Sequence, residues 1–187
     1  MVYIIGTTDH RFQYDGHDDD EVCNKLLLSL KDKFKNYIIK QVIKLNIVLI
    51  GEEFSEEALN RRINNFGATN TSARLAAIFT KIEHRFCDPN TEERKNLGIP
   101  TDTDIKLIKF DRFLINKDQR QIVDEIKKEY WPIRERFWLE NIIDKVNEPI
   151  IFICGADHSE RFKSLLIREG LDAEILINDW KGENKYS

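Results

Sequence analysis

The chain has 187 residues, of which 41% are hydrophobic and 33% are charged, and its formal net charge is −4. This length and composition predict one globular domain spanning 1–187, because the chain is long enough for one well-packed core and too short for two. The acidic balance argues against a general nucleic-acid binder and against binding to anionic membranes. No stretch approaches the roughly 20 apolar residues that span a bilayer, and the first residues lack the pattern of a secretion signal.

Cysteine occurs three times, at Cys23, Cys87 and Cys154, and no two of them form a CxxC pair. An odd and scattered set does not indicate a disulfide framework. The sequence therefore predicts a protein of the reducing cytoplasm.

In the first half of the chain, apolar runs predict strands at 2–7 and 47–50, with a weaker strand at 82–87. A long helix is predicted between the first two strands, because apolar residues recur every four positions. Those residues are Val22, Leu26, Leu30, Phe34, Ile38 and Val42. Helices are also predicted at 55–64 and 73–80. Asn90 with Glu93 three residues later predicts a capping box for a further short helix.

In the second half, residues 101–117 fit helix and strand about equally. Helical periodicity returns from about 118, and Pro132 is expected to kink or restart that helix. A fourth strand at 150–154, a helix at 159–169 with Gly170 as its C-cap, and a fifth strand at 173–177 follow. The segment 180–187 is predicted to be a frayed tail. Alternating strands and helices predict an α/β domain: a mainly parallel sheet of about five strands with helices on both faces.

Three strand ends carry the residues that could perform chemistry. The first strand runs into Gly6-Thr7-Thr8-Asp9-His10, the second into Gly51-Glu52-Glu53, and the fourth into Gly155-Ala156-Asp157-His158. Open α/β sheets bind their ligands just beyond the carboxyl ends of their strands. Two imidazoles and two carboxylates at that edge indicate a metal site or an acid–base site. One of the two glutamates should face the crevice, because side chains alternate along a strand.

Each of these residues also has a plain structural interpretation. Histidines can be loop residues, and Glu52 and Glu53 can simply open the next helix. Arg85 and Arg134 could bind an anionic substrate or form ordinary salt bridges. Cys154 precedes a helix start and His158, which leaves a thiol nucleophile as an alternative to packing. The Gly-rich phosphate-binding motifs, the serine-hydrolase elbow and HExxH are all absent from the sequence.

The order of these motifs, Gly-Thr…His, Gly-Glu-Glu and Gly-x-x-His, resembles the TraB/Tiki-like clan, which includes erythromycin esterase-like enzymes and ChaN-like haem-binding proteins. Asp9 lengthens the first motif by one residue relative to the clan pattern. The chain also resembles a group of small bacterial proteins without an assigned activity, through His84-Arg85-Phe86-Cys87-Asp88-Pro89 and Leu97-Gly98-Ile99. The clan resemblance implies an α/β sheet with a polar cleft and, as in Tiki-like members, metal-dependent peptide hydrolysis.

On this resemblance His10, Glu53 and His158 fall on the clan's motif positions, and we expect them to hold a divalent zinc, manganese or iron ion. That ion would lower the pKa of a bound water towards ~7. Glu52 or Asp157 would take the proton.

An arginine, Arg134 or Arg85, would stabilise the developing negative charge. The expected function is thus a metal-assisted hydrolase of a small-molecule or peptide substrate, with self-association into a homo-oligomer left open. A metal-independent acid–base enzyme and a non-catalytic module that binds a small anion or a protein are the alternatives.

Overall fold

A computed structural model describes residues 1–8, 10–14, 21–100, 104–105 and 119–182. Five parallel strands form one sheet in the order β3-β2-β4-β1-β5. The strands are β1 (Val2–Thr7), β2 (Leu49–Glu52), β3 (Glu83–Phe86), β4 (Ile150–Gly155) and β5 (Ala173–Ile177). The predicted α/β class and the number of strands are confirmed.

Six α-helices lie in the described part of the chain. They are α1 (Glu21–Leu45), α2 (Glu56–Phe66), α3 (Ser72–Thr80), α4 (Thr91–Asn96), α5 (Gln119–Ile142) and α6 (Ala156–Arg168). Polar side chains cap the start of three of them: Ser55 accepts a hydrogen bond from the Ala58 amide at α2, and Thr71 accepts one from the Arg74 amide at α3. At α4 the Asn90 and Glu93 side chains and amides pair reciprocally, which confirms the predicted capping box.

The sheet separates two hydrophobic clusters, because consecutive strand residues point to opposite faces. On one face α1 and α3 cover Ile5, Ile50 and Ile151 with residues such as Phe34 and Ile38. On the other face α5 and α6 cover Ile4, Leu49 and Phe152, and their contribution includes Trp138 and Phe162. The helices therefore lie on both faces, as an all-parallel sheet requires.

Several predicted boundaries differ from the structure. β2 begins and ends two residues later than predicted, so that Gly51 and Glu52 belong to the strand. α6 begins three residues earlier, at Ala156, so that Asp157 and His158 lie in its first turn and not in a loop. Glycine at position 155 ends β4 and serves directly as the helix N-cap, which removes the expected loop.

Pro132 neither restarts nor ends α5, which continues through it. The residue lies on the exposed side of the helix, where solvent can hydrate the carbonyl that loses its partner. Trp180, at the start of the predicted tail, is buried at 3% exposure against Phe12 and Phe34. Most of the ambiguous segment 101–117 and the end of the tail, 183–187, lie outside the described residues. No helix of the described chain is both long enough and apolar enough to cross a bilayer.

The connections of two neighbouring strands run in opposite directions. From β1 the chain passes through α1 to β2 on one side, whereas from β4 it passes through α6 to β5 on the other. β1 and β4 are adjacent, and their ends pair through Thr7 and Gly155. A crevice opens at such a switch point beyond the carboxyl ends of the strands. The fold thus brings together the carboxyl ends of the two strands that precede the predicted Asp-His segments.

Candidate functional site

A cavity of about 430 Å³ lies at this switch point. The ends of β1, β2 and β4, the first turn of α6 and one side of α5 surround it. Its lining includes Thr7, Thr8, Glu53, Arg94, Ile99, Pro100, Lys127, Tyr130, Trp131, Arg134, Gly155, Ala156, Asp157 and His158. The volume falls within the range of small-molecule sites.

Glu53 joins three elements at the base of the cavity. It follows Glu52, the last residue of β2, and its side chain is 7% exposed. Oε1 accepts a hydrogen bond from Arg134 of α5 at 2.6 Å, and Oε2 accepts one from the Gly155 amide at 2.7 Å. A buried carboxylate is stable only when it is paired and hydrogen-bonded, and both conditions are met here.

Asp88 holds two arginines beside the same cavity. Its Oδ1 accepts from Arg134 Nε at 2.9 Å, from Arg134 Nη2 at 2.6 Å and from Trp138 Nε1 at 3.0 Å. Its Oδ2 accepts from Arg94 of α4 at 2.6 Å. Burial alone would lower the pKa of the Arg134 guanidinium, but the charges of Glu53 and Asp88 outweigh it and raise this pKa. Arg134 therefore remains a fixed positive charge between two carboxylates.

His158 has a defined orientation on the first turn of α6. Its Nδ1 lies 2.9 Å from Glu135 Oε1, which also accepts a hydrogen bond from Arg161 Nε at 3.0 Å. Because a carboxylate oxygen accepts, Nδ1 carries the proton, and Nε2 of the neutral ring is an acceptor. Nε2 lies 3.7 Å from Glu53 Oε1, beyond hydrogen-bond range. The ring is 5% exposed and still lines the cavity.

Two tryptophans enclose the His158 ring. The Trp131 and Trp138 ring centroids lie 4.4 and 5.0 Å from it. Trp138 is fully buried and packs in turn on Phe152 and Phe162 in the core. The imidazole is therefore fixed by packing as well as by Glu135.

The predicted catalytic residue Glu52 lies on the opposite face of the sheet from Glu53. It is 1% exposed, and its Oε1 pairs with His84 Nε2 at 2.7 Å and with the Thr71 hydroxyl. The strand alternation that turns Glu53 toward the cavity necessarily turns Glu52 away from it. Glu52 and Glu53 therefore do not share one site.

The remaining predicted residues are divided between the cavity and the surface. Arg134, His158 and the exposed Asp157 line the cavity with Glu53. Arg85, on the edge strand β3, instead pairs with Glu83 of the same strand and with Asp144 just after α5, and it does not line the cavity. The side chain of His10 lies outside the described residues, and its backbone begins a short 3-10 helix, His10–Gln13. The structure thus brings together three of the proposed residues with Glu53.

The carboxylate of Glu53 is engaged by nitrogen donors on both oxygens, as it would be in an ion-pair network. An arginine at 2.6 Å competes with any cation for the same oxygen. Within the described residues, no group of three or more His, Cys, Asp or Glu side chains is placed to hold a metal ion. The side chain of His10, the third expected ligand, lies outside the described residues, and the metal site therefore stays a prediction.

Burial raises the pKa of two cysteine thiols near the site, Cys87 just after β3 and Cys154 in β4. Desolvation raises the pKa of the Cys87 thiol to about 12 and raises that of Cys154 well above its usual value, with Glu53 adding to the latter effect. A nucleophilic cysteine needs a lowered pKa. The thiol alternative at Cys154 is therefore disfavoured.

The sequence interpretation did not assign roles to Glu135, Asp88 and Lys127. Glu135 and Arg134 are neighbours on α5, yet they contact different cavity groups, His158 and Glu53. A signal for Asp88 was present, because it follows the third strand at the same sheet edge. No sequence signal distinguishes Lys127, because exposed lysines are common on helices.

Comparison with protein-family models, with curated proteins and with solved structures gives no match. The resemblance to the TraB/Tiki-like clan accordingly stays a prediction.

Proposed function

We propose that this chain is a metal-independent acid–base enzyme that acts on a small molecule in the cavity, with His158 as the residue that accepts and returns the proton. One observation carries the proposal. The His158 ring is fixed by Glu135 on Nδ1, while Nε2 lies among cavity-lining groups, 3.7 Å from Glu53. A general base needs a basic atom within reach of its substrate and a fixed orientation.

In the proposed step, a substrate hydroxyl or an attacking water transfers its proton to His158 Nε2. The electron pair left on that oxygen forms the new bond or the oxyanion, and the ring becomes an imidazolium. Glu135 stabilises the positive ring through Nδ1–H, and Glu53 lies close enough to Nε2–H to add to that stabilisation. The imidazolium then returns the proton to the leaving group.

Arg134 has a supporting part in this proposal. It keeps Glu53 in place and offsets its negative charge, since the two side chains are 2.6 Å apart. Trp131 and Tyr130 add aromatic side chains to the cavity lining, and exclusion of water by such walls strengthens electrostatic interactions.

The test compares two histidines that differ in location. The purified protein is screened against esters, amides, lactones and phosphomonoesters, and any turnover is measured again in His158→Gln and His84→Gln. His84 is also a partly buried histidine bound to a glutamate, but on the other face of the sheet. We expect His158→Gln to lower kcat/KM by about 10²–10⁴-fold, while His84→Gln retains activity in its folded fraction. Equal activity in His158→Gln and wild type would contradict the proposal, as would the absence of turnover in every class.

The competing proposal is the metal-assisted hydrolase that the clan resemblance implies, with His10, Glu53 and His158 as ligands. Chelation distinguishes the two. Activity that persists after treatment with a chelator supports the metal-independent enzyme. Activity that is lost and then restored by zinc, manganese or iron supports the metal-assisted one.

We also propose that the protein resides in the reducing cytoplasm. Cys87 and Cys154 are buried free thiols, as that compartment favours.

A further inference from the structure

We propose that a groove between α1 and α3 is a docking surface for a partner protein, which inserts an amphipathic helix with acidic flanks. The groove is lined by Lys35, Asn36 and Ile39 of α1 and by Leu75, Ile78 and Phe79 of α3. These two helices cover the face of the sheet opposite α5 and α6, so the groove is separate from the cavity of the candidate site. The proposal therefore goes beyond the acid–base function and does not depend on it.

The first observation is that large apolar side chains face solvent on both helices. Phe79 and Ile78, in the last turn of α3, are 70% and 60% exposed, and Ile43 of α1 is 65% exposed. They are the three most exposed large apolar side chains of the described residues. Ile43 lies one turn beyond Ile39 on the same side of α1. Single exposed apolar residues are common, but a group of them on one surface marks an interaction site.

The second observation is the shape of this surface, which is a groove of about 460 Å³ between two packed helices. On its α1 side, Lys35, Ile39 and Ile43 follow one another at intervals of four residues. This row extends about 12 Å along the helix axis. A partner helix of two to three turns matches that length, and its apolar residues at i, i+3, i+4 and i+7 would enter the groove.

The third observation is that the charges around the groove are positive. α3 contains no acidic residue and is followed directly by the exposed Lys81. Between positions 33 and 45, α1 has no acidic residue and four lysines: Lys33, Lys35, Lys40 and Lys44. Asp32, one turn before Lys35, is already bound to that lysine at 2.8 Å. The chain as a whole has a net charge of −4, so this region is opposite in sign to the average. Acidic flanks on the partner helix would complement it.

The same observations argue against two other occupants. In a symmetric dimer the same surface of each copy meets its equivalent, which would bring two groups of lysines together and oppose association. A groove between helices receives a ridge of side chains. A helix has such a ridge, whereas the surface of a bilayer does not.

The experiment measures the binding of a designed peptide to the full-length protein by fluorescence anisotropy at low ionic strength. The probe is a fluorescein-labelled amphipathic helix of about 18 residues, with leucines on one face and glutamates beside them. In the control peptide, lysine replaces every glutamate and the leucines stay. The key variant is Phe79→Ser, and the matched control is Ile167→Ser, which removes a 54% exposed apolar side chain from α6.

We expect wild type and Ile167→Ser to bind the acidic peptide with similar affinity, and Phe79→Ser to bind it about tenfold or more weakly. Ile78→Ser should weaken binding as well. Urea unfolding should give all three variants midpoints close to that of wild type, because the replaced side chains are exposed. The lysine peptide should bind wild type about tenfold or more weakly than the acidic one. No binding of the acidic peptide, equal affinities of Phe79→Ser and Ile167→Ser, or equal affinities of the two peptides would overturn the proposal.

The two other occupants give distinct results. A wild-type dimer in sedimentation equilibrium that Phe79→Ser converts to a monomer would assign the surface to a second copy of the chain. Binding of wild type, but not of Phe79→Ser, to vesicles of phosphatidylcholine and phosphatidylserine would assign it to a membrane. Either result would overturn the proposal of a partner helix. None of these measurements involves turnover, so their outcome is independent of the acid–base proposal.

Discussion

Arg134 should contribute far more to stability than Arg136, although the two residues lie two positions apart on α5 and each has a carboxylate partner at 2.6 Å. The Arg134 side chain is 16% exposed, and its partners Glu53 and Asp88 are 7% and 9% exposed. The Arg136 pair with Glu169 is 42% and 34% exposed. Removal of one partner from a buried ion pair leaves an uncompensated charge and costs about 3–5 kcal/mol. An exposed pair contributes about 0–1 kcal/mol.

We therefore expect Arg134→Met to lower the free energy of unfolding by about 3–5 kcal/mol, and Arg136→Met to have a much smaller effect because solvent screens the exposed pair. Urea unfolding followed by circular dichroism measures both. Part of the loss should be recovered when Glu53→Gln and Asp88→Asn are added to Arg134→Met, because no buried charge then remains unpaired. Equal losses in the two single variants would refute the network as a stabilising element. A triple variant that is less stable than Arg134→Met would refute the charge explanation.

Two further predictions concern ionisable groups elsewhere. The Glu57 carboxylate links α2 to α4, and hydrogen bonds from the Thr91 side chain and amide lower its pKa from the usual 4.5. A carboxylate whose pKa is lower in the folded state stabilises the protein at pH values above its unfolded-state pKa. That stabilisation is lost as the pH falls through the folded-state pKa. The stability advantage of wild type over Glu57→Gln should thus shrink below about pH 4.5 in acid titrations, and an advantage that is constant from neutral to acid pH would argue against it. Iodoacetamide should label Cys87 and Cys154 only after unfolding, because burial raises the pKa of both thiols; rapid labelling of native Cys154 in mass spectra would restore the thiol alternative.

The architecture could be predicted from the sequence because its strands are nearly continuous apolar runs. Ile150 to Cys154 are all buried, and so are Leu49 and Ile50. The hydrophobic pattern predicted which strands exist more accurately than it predicted where they begin and end. Gly51 and Glu52 read as a loop, but a central strand covered on both faces can bury a glutamate once His84 and Thr71 pair with it. These partners are distant from Glu52 in sequence, so the local pattern could not predict that this glutamate is a buried strand residue.

The candidate site could be predicted in part. The switch point follows from the adjacency of β1 and β4, and the proximity of Glu53 to His158 follows from side-chain alternation and the adjacency of β2 and β4. The contribution of α5 could not be foreseen in detail. Arg134 and Glu135 are adjacent in sequence and separate in their contacts, and only the packed position of the helix determines which one reaches Glu53 and which one reaches His158.

The two adjacent glutamates at the end of β2 have a consequence for how this chain can vary. Glu52 and Glu53 belong to different polar networks on opposite sides of the sheet, and one peptide bond separates them. Point substitutions can alter one network and leave the other intact. An insertion or deletion of a single residue within β2 would instead exchange the two carboxylates, so that both networks fail at once. This strand should therefore tolerate changes of residue type far better than changes of length.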